Sequence, residues 1–144
     1  MDVRIGMDMR LWGDSTGVAE LPVLELLHIL GYEGVEIPLS NQGESELKLL
    51  SVALQELELD VVTSTALPAA ANPVDSSPRV RSAAVDCLKS RLDEAAVLGS
   101  PMLTGGLFQA HGVFSGSPPS DREWDWSRQC LYQAAEHAAG LGIS

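Results

Sequence analysis

The chain has 144 residues, enough for one domain with a sizeable core, and a formal charge of −11. Only 9 Lys and Arg stand against 20 Asp and Glu, which argues against nucleic acid, because phosphate backbones are held by clustered cations. No apolar run approaches the roughly 18 residues of a membrane span, and MDVRIGMD has neither the basic nor the apolar stretch of a signal peptide. Cys87 and Cys130 fall in helical stretches with no nearby cysteine, so reduced, packed thiols of a cytoplasmic protein are expected.

In chain order, Val3–Asp8 reads as a first strand, followed by a loop holding Trp12-Gly13-Asp14. A helix is predicted from about Ala19 to Leu30, with Pro22 tolerated in its first turn and Gly31 in the left-handed closing position. Gly34–Leu39 is the second strand, ended by Pro38, which has no N–H to donate. The spacing of Leu47, Leu50, Leu54 and Leu57 predicts a helix from Glu44 to Leu57 with one apolar face. Leu59–Ser64 reads as the third strand, and Thr65–Ser76, rich in Ala, Pro, Asn and Ser, as loop.

Ser77-Pro78 is an N-cap followed by a first-turn proline, and the helix it opens runs to Leu98, burying Val80, Ala84, Leu88, Leu92 and Ala95. Pro101–Thr104 is the fourth strand, stopped by Gly105-Gly106. After a loop of about a dozen residues, Ser120-Asp121-Arg122-Glu123 forms a capping box. The fourth helix runs from Asp121 to about Leu141, with Trp124, Leu131, Ala135 and Ala138 expected inside. Strict strand–helix alternation with short Leu-Gly joints implies an α/β fold, with a parallel sheet and outer helices. The longest loops follow strands three and four, where such units house their chemistry. Neither G-x-G-x-x-G nor a Walker lysine occurs, so no nucleotide fingerprint supports an open doubly wound sheet.

GYEGVEIPL, SSPRVR, LGSPMLTGGLF and FSGSPPSDREW, in this order, resemble the first half of the xylose-isomerase-like TIM barrels. The nearest likeness is to the sugar phosphate isomerase/epimerase group that includes the ketose 3-epimerases of tagatose and psicose type. The resemblance implies four β/α units of eight, with residues 1–144 forming the N-terminal half of a single (β/α)8 domain. It implies a divalent cation, commonly Mn, Mg or Co, that polarises a ketose carbonyl while two glutamates move the proton. In the family those ligands come from strands five to eight, so no residue here matches one. A sugar or sugar phosphate is the implied substrate.

The resemblance also places one wall of a pocket on this chain. Asp8 stands where ketohexose epimerases carry an aromatic, and Trp12 matches a tryptophan of the following loop. Ala66 falls at a small or apolar pocket position, and Leu107 and Phe108, after Gly106, match an apolar wall. Gly112 stands where the family often adds a tryptophan, and with Asp8 this argues against a plain ketohexose. Asp8 would suit extra hydroxyls or repel a phosphate. Glu36 has two readings, an inward polar role at the mouth or an outward salt bridge. Trp12 is open between core packing and ligand stacking, and His111 between a solvated loop and substrate contact.

The zinc endonucleases that share the barrel place histidines after strands three and four, where this chain has Ser64-Thr65 and Gly105-Gly106. An inert portion of an enzyme, awaiting its C-terminal half, is the expectation. The alternative is a free-standing, non-catalytic half-barrel that binds sugar or a partner chain. In either case self-association or pairing is expected, because strands one and four lack a neighbour.

Overall fold

The computed structural model describes residues 3–144. Four parallel strands lie in the order β1-β2-β3-β4: β1 is Gly6–Asp8, β2 Gly34–Pro38, β3 Asp60–Ala66 and β4 Leu103–Gly106. The helices between and after them are α1 (Leu21–Ile29), α2 (Glu44–Glu56), α3 (Pro78–Leu98) and α4 (Asp121–Leu141). This is the architecture of half a TIM barrel.

The two-residue period of a strand decides what each face carries. On β2, Val35 and Ile37 point to the helices and join a core with Leu24, Leu27, Leu47, Leu50, Leu54, Leu88 and Leu92. Gly34, Glu36 and Pro38 alternate with them on the inner face. Truncating a buried leucine such as Leu50 would cost about 2–5 kcal/mol, because the packed layer closes poorly over a cavity.

β3 is central and polar, yet satisfied. Thr63, fully buried, donates its Oγ1 hydrogen to the Met102 carbonyl at 2.8 Å, and Thr65 donates to the Leu39 carbonyl at 3.2 Å. These hydroxyls tie β3 to the chain entering β4 and leaving β2. The last residue continues the sheet, because Leu103 N–H donates to the Ser144 carbonyl and Ser144 N–H to that of Pro101. Ser144 thus lies against the outer side of the chain at the start of β4. β1 has no second neighbour among the described residues.

Several expectations hold. Gly31, Gly99 and Gly142 all take positive φ where their helices end. Pro22 lies in the first turn of α1, and the capping box forms: Ser120 N–H donates to Glu123 Oε2 at 2.7 Å and Glu123 N–H to Ser120 Oγ at 3.3 Å. Others are corrected. Pairing in β1 starts at Gly6 rather than Val3, since the sheet's first partner is Gly34. β3 runs on to Ala66, and 3-10 turns occupy Met9–Leu11, Val18–Glu20 and Ala69–Ala71, two of them inside predicted loops. Ser77 precedes α3 without a side-chain cap bond, and Val80 is only half-buried.

Two corrections bear on the site. Gly105-Gly106 does not stop β4 but belongs to it, pairing with Thr65 and Ala66. Gly105 has φ of 122°, and a Cβ there would run into the Thr65 carbonyl oxygen, so glycine is what permits the pairing. In α4, Ser127, Cys130, Ala134 and Ala138 are buried, whereas Trp124 is 65 % exposed and Ala135 is exposed. The helix carries two apolar stripes, and α3 packs on the one with the smaller side chains. The other, with Phe108, lines an open groove of about 630 Å³.

Two measurements follow from this packing. Gly105→Ala should cost at least about 1–3 kcal/mol in denaturant unfolding from backbone strain alone, while Gly106→Ala, with open space around it, should cost under about 0.5 kcal/mol. Glu123 is held below the usual carboxylate range by hydrogen bonds from Ser120 N–H and the Ser120 hydroxyl. Its stabilising effect is complete above the unfolded carboxylate's pKa and fades as pH falls through the lower folded value. Urea titrations from pH 6 to 3 should show a shallower acid loss in Glu123→Gln than in the natural chain.

Candidate functional site

The C-terminal ends of β1, β2 and β3 bring four polar residues together. Asp8 and Glu36 are register partners on adjacent strands and share the inner face by alternation. Asp8 closes β1 by accepting the Arg10 N–H at 2.9 Å, which starts the Met9–Leu11 turn. That turn brings the Arg10 side chain back across the strand ends. Its Nη2 donates to Ser64 Oγ at 2.6 Å, and its Nη1 lies 3.7 Å from Glu36 Oε1. One guanidinium thus links three strands, with Ser64 fully buried beneath it.

Asp8, Glu36 and Arg10 together give the arc a formal net charge of −1, and of the two carboxylates Glu36 is the one in ion-pair range of the guanidinium. Below the arc, Gly6, Asp8, Gly34, Glu36, Asp60 and Val62 line a depression of about 410 Å³ on the inner face. The arrangement offers alternating hydrogen-bond acceptors and donors at the rim of a shallow cup. A larger depression of about 520 Å³ opens between the loops after β3 and β4, beside Asn72, Gln109 and Phe114. It contains none of the four strand-end residues.

The structure gathers some of the expected pocket and scatters the rest. Asp8 and Glu36 come together, and Glu36 takes the inward of its two readings, where it lies 3.7 Å from Arg10 Nη1. Ala66 and Gly106 pair at the ends of β3 and β4, both exposed at the rim. Leu107 packs partly against the core. Phe108 is 57 % exposed and lines the α4 groove with Trp124, Leu131 and Tyr132, a different depression from the one below Asp8 and Glu36. Trp12 follows the turn after β1, about half exposed, its N–H bonded to the Met9 carbonyl. His111 is exposed, and its backbone N–H donates to the Leu67 carbonyl.

The loop after β4 is tied down at three points. Asn72 Oδ1, buried, accepts the Ala110 N–H at 3.0 Å, the Leu67 carbonyl holds His111, and Ser127 Oγ donates to the Phe108 carbonyl at 2.8 Å. Arg10 and Ser64 are the site residues that sequence reasoning did not single out. The available signal was a cation two residues beyond an inward acidic strand end, and a serine in phase with Val62 on β3.

Among the described residues no three His, Cys, Asp or Glu side chains gather into a group that could hold a metal ion. His137 meets Asp93 at 2.7 Å on the α3–α4 surface, Cys87 and Cys130 are free thiols, and among the described residues no helix is long and apolar enough to cross a membrane. The residues present do not fit a divalent cation. What they fit is hydrogen bonding to a polar ligand.

Residues 24–144 match the family described as Xylose isomerase-like TIM barrel. An L-ribulose 3-epimerase from Methylomonas sp. (strain DH-1) is 28 % identical over 114 residues, covering 79 % of this chain and 40 % of that protein. A solved L-ribulose 3-epimerase superposes with a TM-score of 0.89 at 24 % identity, over 99 % of this chain and 48 % of its own. A D-allulose 3-epimerase from Methylomonas sp., crystallised with D-allulose, gives 0.85 at 23 %, over 99 % and 49 %. The chain spans half or less of the length of these relatives. With its parallel β/α units, strand-end polar site and family match, the chain belongs to the xylose isomerase-like TIM barrel family.

Proposed function

We propose that this chain is the N-terminal half of a sugar 3-epimerase barrel, acting on a ketose and supplying one wall of its substrate pocket. The observation that carries the reading is the polar arc of Asp8, Arg10, Glu36 and Ser64, set at the strand ends where such barrels place their sites. The likeness to an L-ribulose 3-epimerase supports the substrate class.

Inverting a carbon beside a ketose carbonyl requires a proton to leave one face and another to return on the opposite face. In this reading Asp8, Arg10 and Glu36 do neither. They bind and orient sugar hydroxyls, so that the reacting carbon is presented to acid and base groups on the strands that complete the barrel. A divalent cation, if the family's Mn, Mg or Co is used, belongs to that other half. Free Cys87 and Cys130 suit a reducing compartment, and we place the reaction in the cytoplasm.

The same reading makes pairing obligatory. The α4 groove of Phe108, Trp124, Leu131 and Tyr132 and the free edge of β1 are where neighbouring units of a closed barrel would pack. Contiguous apolar surface of this kind seldom stays exposed in a soluble monomer. Alone, the chain should therefore self-associate.

The test is to assay the chain alone, and then joined in cis or in trans to the strands that complete its barrel, against a panel of ketopentoses and ketohexoses. Epimerisation should appear only in the completed barrel. Activity of the chain alone, or a folded completed barrel inert towards every ketose, would contradict the proposal. Calorimetry adds a second check: the chain alone should give no stoichiometric micromolar heat with Mn2+ or Co2+, and the completed barrel should.

A further inference from the structure

The larger depression, between the loops after β3 and β4, shares no residue with the strand-end arc and is built differently. Its volume of about 520 Å³ lies within the roughly 300–1,000 Å³ of small-molecule sites. Asn72, 5 % exposed, is part of its lining. The Asn72 Oδ1 accepts two backbone N–H groups, from Ala110 at 3.0 Å and from Val74 at 3.3 Å, which fixes the orientation of the amide. Its Nδ2 donates to no described residue. Nor is that group sealed away: among the described residues the enclosed side-chain atoms without a partner are Thr16 Oγ1, Gln42 Oε1 and Glu94 Oε2. A nearly buried amide thus turns an unused donor to the depression.

Gln109, half-buried in the same lining, donates from Nε2 to the Val113 carbonyl at 3.0 Å and keeps Oε1 as a free acceptor. Donor and acceptor stand among apolar walls, Val74, Val113, Phe114 and Pro118-Pro119. Phe114 is 82 % exposed, so its ring is open to a ligand. No Lys, Arg or His lines the depression, and Arg81, which donates to the carbonyls of Asp75 and Ser76, lies over the Trp126 ring instead. The two carboxylates in the lining are committed: Asp75 accepts the Ser77 N–H, and Glu123 the N–H and hydroxyl of Ser120. An anion would meet two negative charges and no cation. What fits is a neutral ligand with an apolar face and a hydroxyl-bearing edge. A sugar ring has both: C–H groups for the Phe114 face, and hydroxyls that accept from Asn72 and donate to Gln109.

We propose that the cleft between Asn72, Gln109 and Phe114 is an accessory binding site for a neutral sugar ring, separate from the strand-end arc. The site itself stands on this geometry, and the choice of a sugar among neutral hydroxylated ligands rests on the ketose-epimerase reading above.

The test follows the side-chain amides of the completed barrel by NMR during titration with methyl β-D-glucopyranoside, a neutral ring with no carbonyl to epimerise. The Asn72 and Gln109 amide signals should shift saturably, with a Kd of about 1 mM. Phe114→Ala should raise that Kd about tenfold. So should Asn72→Asp, which keeps an acceptor for Ala110 and Val74 but removes the donor. The corresponding methyl glucuronide, which carries a carboxylate, should bind at least about tenfold more weakly. Melting temperature identifies an unfolded Asn72→Asp, and Phe114→Ala, at an exposed side chain, then carries the comparison.

No saturable shift of the two amides would overturn the site, as would a Kd that Phe114→Ala leaves unchanged. Equal binding of the glucuronide, or tighter binding of N-methylacetamide than of the glucoside, would overturn the assignment to a neutral sugar. Turnover enters none of these readings, so epimerisation of ketoses by the completed barrel stands or falls separately.

Discussion

A parallel sheet is stable when both faces are covered, and this sheet has helices on one face only. Everything distinctive in the chain stems from that asymmetry. The helical side is a core, where Val35, Ile37 and Leu103 meet leucines of α1, α2, α3 and neighbouring loops and the alanines Ala134 and Ala138 of α4. The inner side carries Gly6, Asp8, Gly34, Glu36, Pro38, Val62 and Ser64, which is little apolar bulk for a second core. Closing the sheet on itself solves the problem, because a barrel turns its inner face into an interior and its strand ends into a mouth.

In the proposed barrel the polar arc would stand at that mouth. Arg10 reaches it because Asp8 caps a single 3-10 turn, which folds the chain back over β1 instead of letting it run outward. Ser64 can receive it because β3 extends to Ala66, which carries a buried hydroxyl up to the level of the strand ends. The strands are thus set by the core, and the arc by a turn and a strand end that the core holds in place. The loop bearing Phe108 is positioned separately, by Asn72, Leu67 and Ser127, against the flank of α4.

Much of the fold was legible because its signals are local. A leucine followed by glycine marks a helix end, since the closing residue needs a positive φ, and three helices obey this. α2 ends differently: Glu58 takes φ of 53°, a non-glycine exception that no local pattern announces. The errors came where tertiary contacts decide. Two apolar stripes run along α4, and spacing alone does not say that α3 packs against Cys130 and Ala134 rather than Trp124 and Ala135. A glycine pair reads as a strand stop, yet Gly105 is in β4 because its neighbour Thr65 comes too close for a side chain. At the site, Asp8 and Glu36 were singled out through the family resemblance. Arg10 was not, because its meaning lies in three strands being adjacent.

The central proposal is that the inner face and the free edge of β1 pack against further units of a barrel. Hydrogen exchange along β1 tests it most directly, since an amide on an open edge is protected only when a neighbouring strand accepts its hydrogen bond. The account predicts that amides of Gly6–Asp8 on the side away from β2 exchange rapidly in the chain alone and become strongly protected once the completing strands are supplied. Equal protection in both states, or no gain on completion, would contradict it.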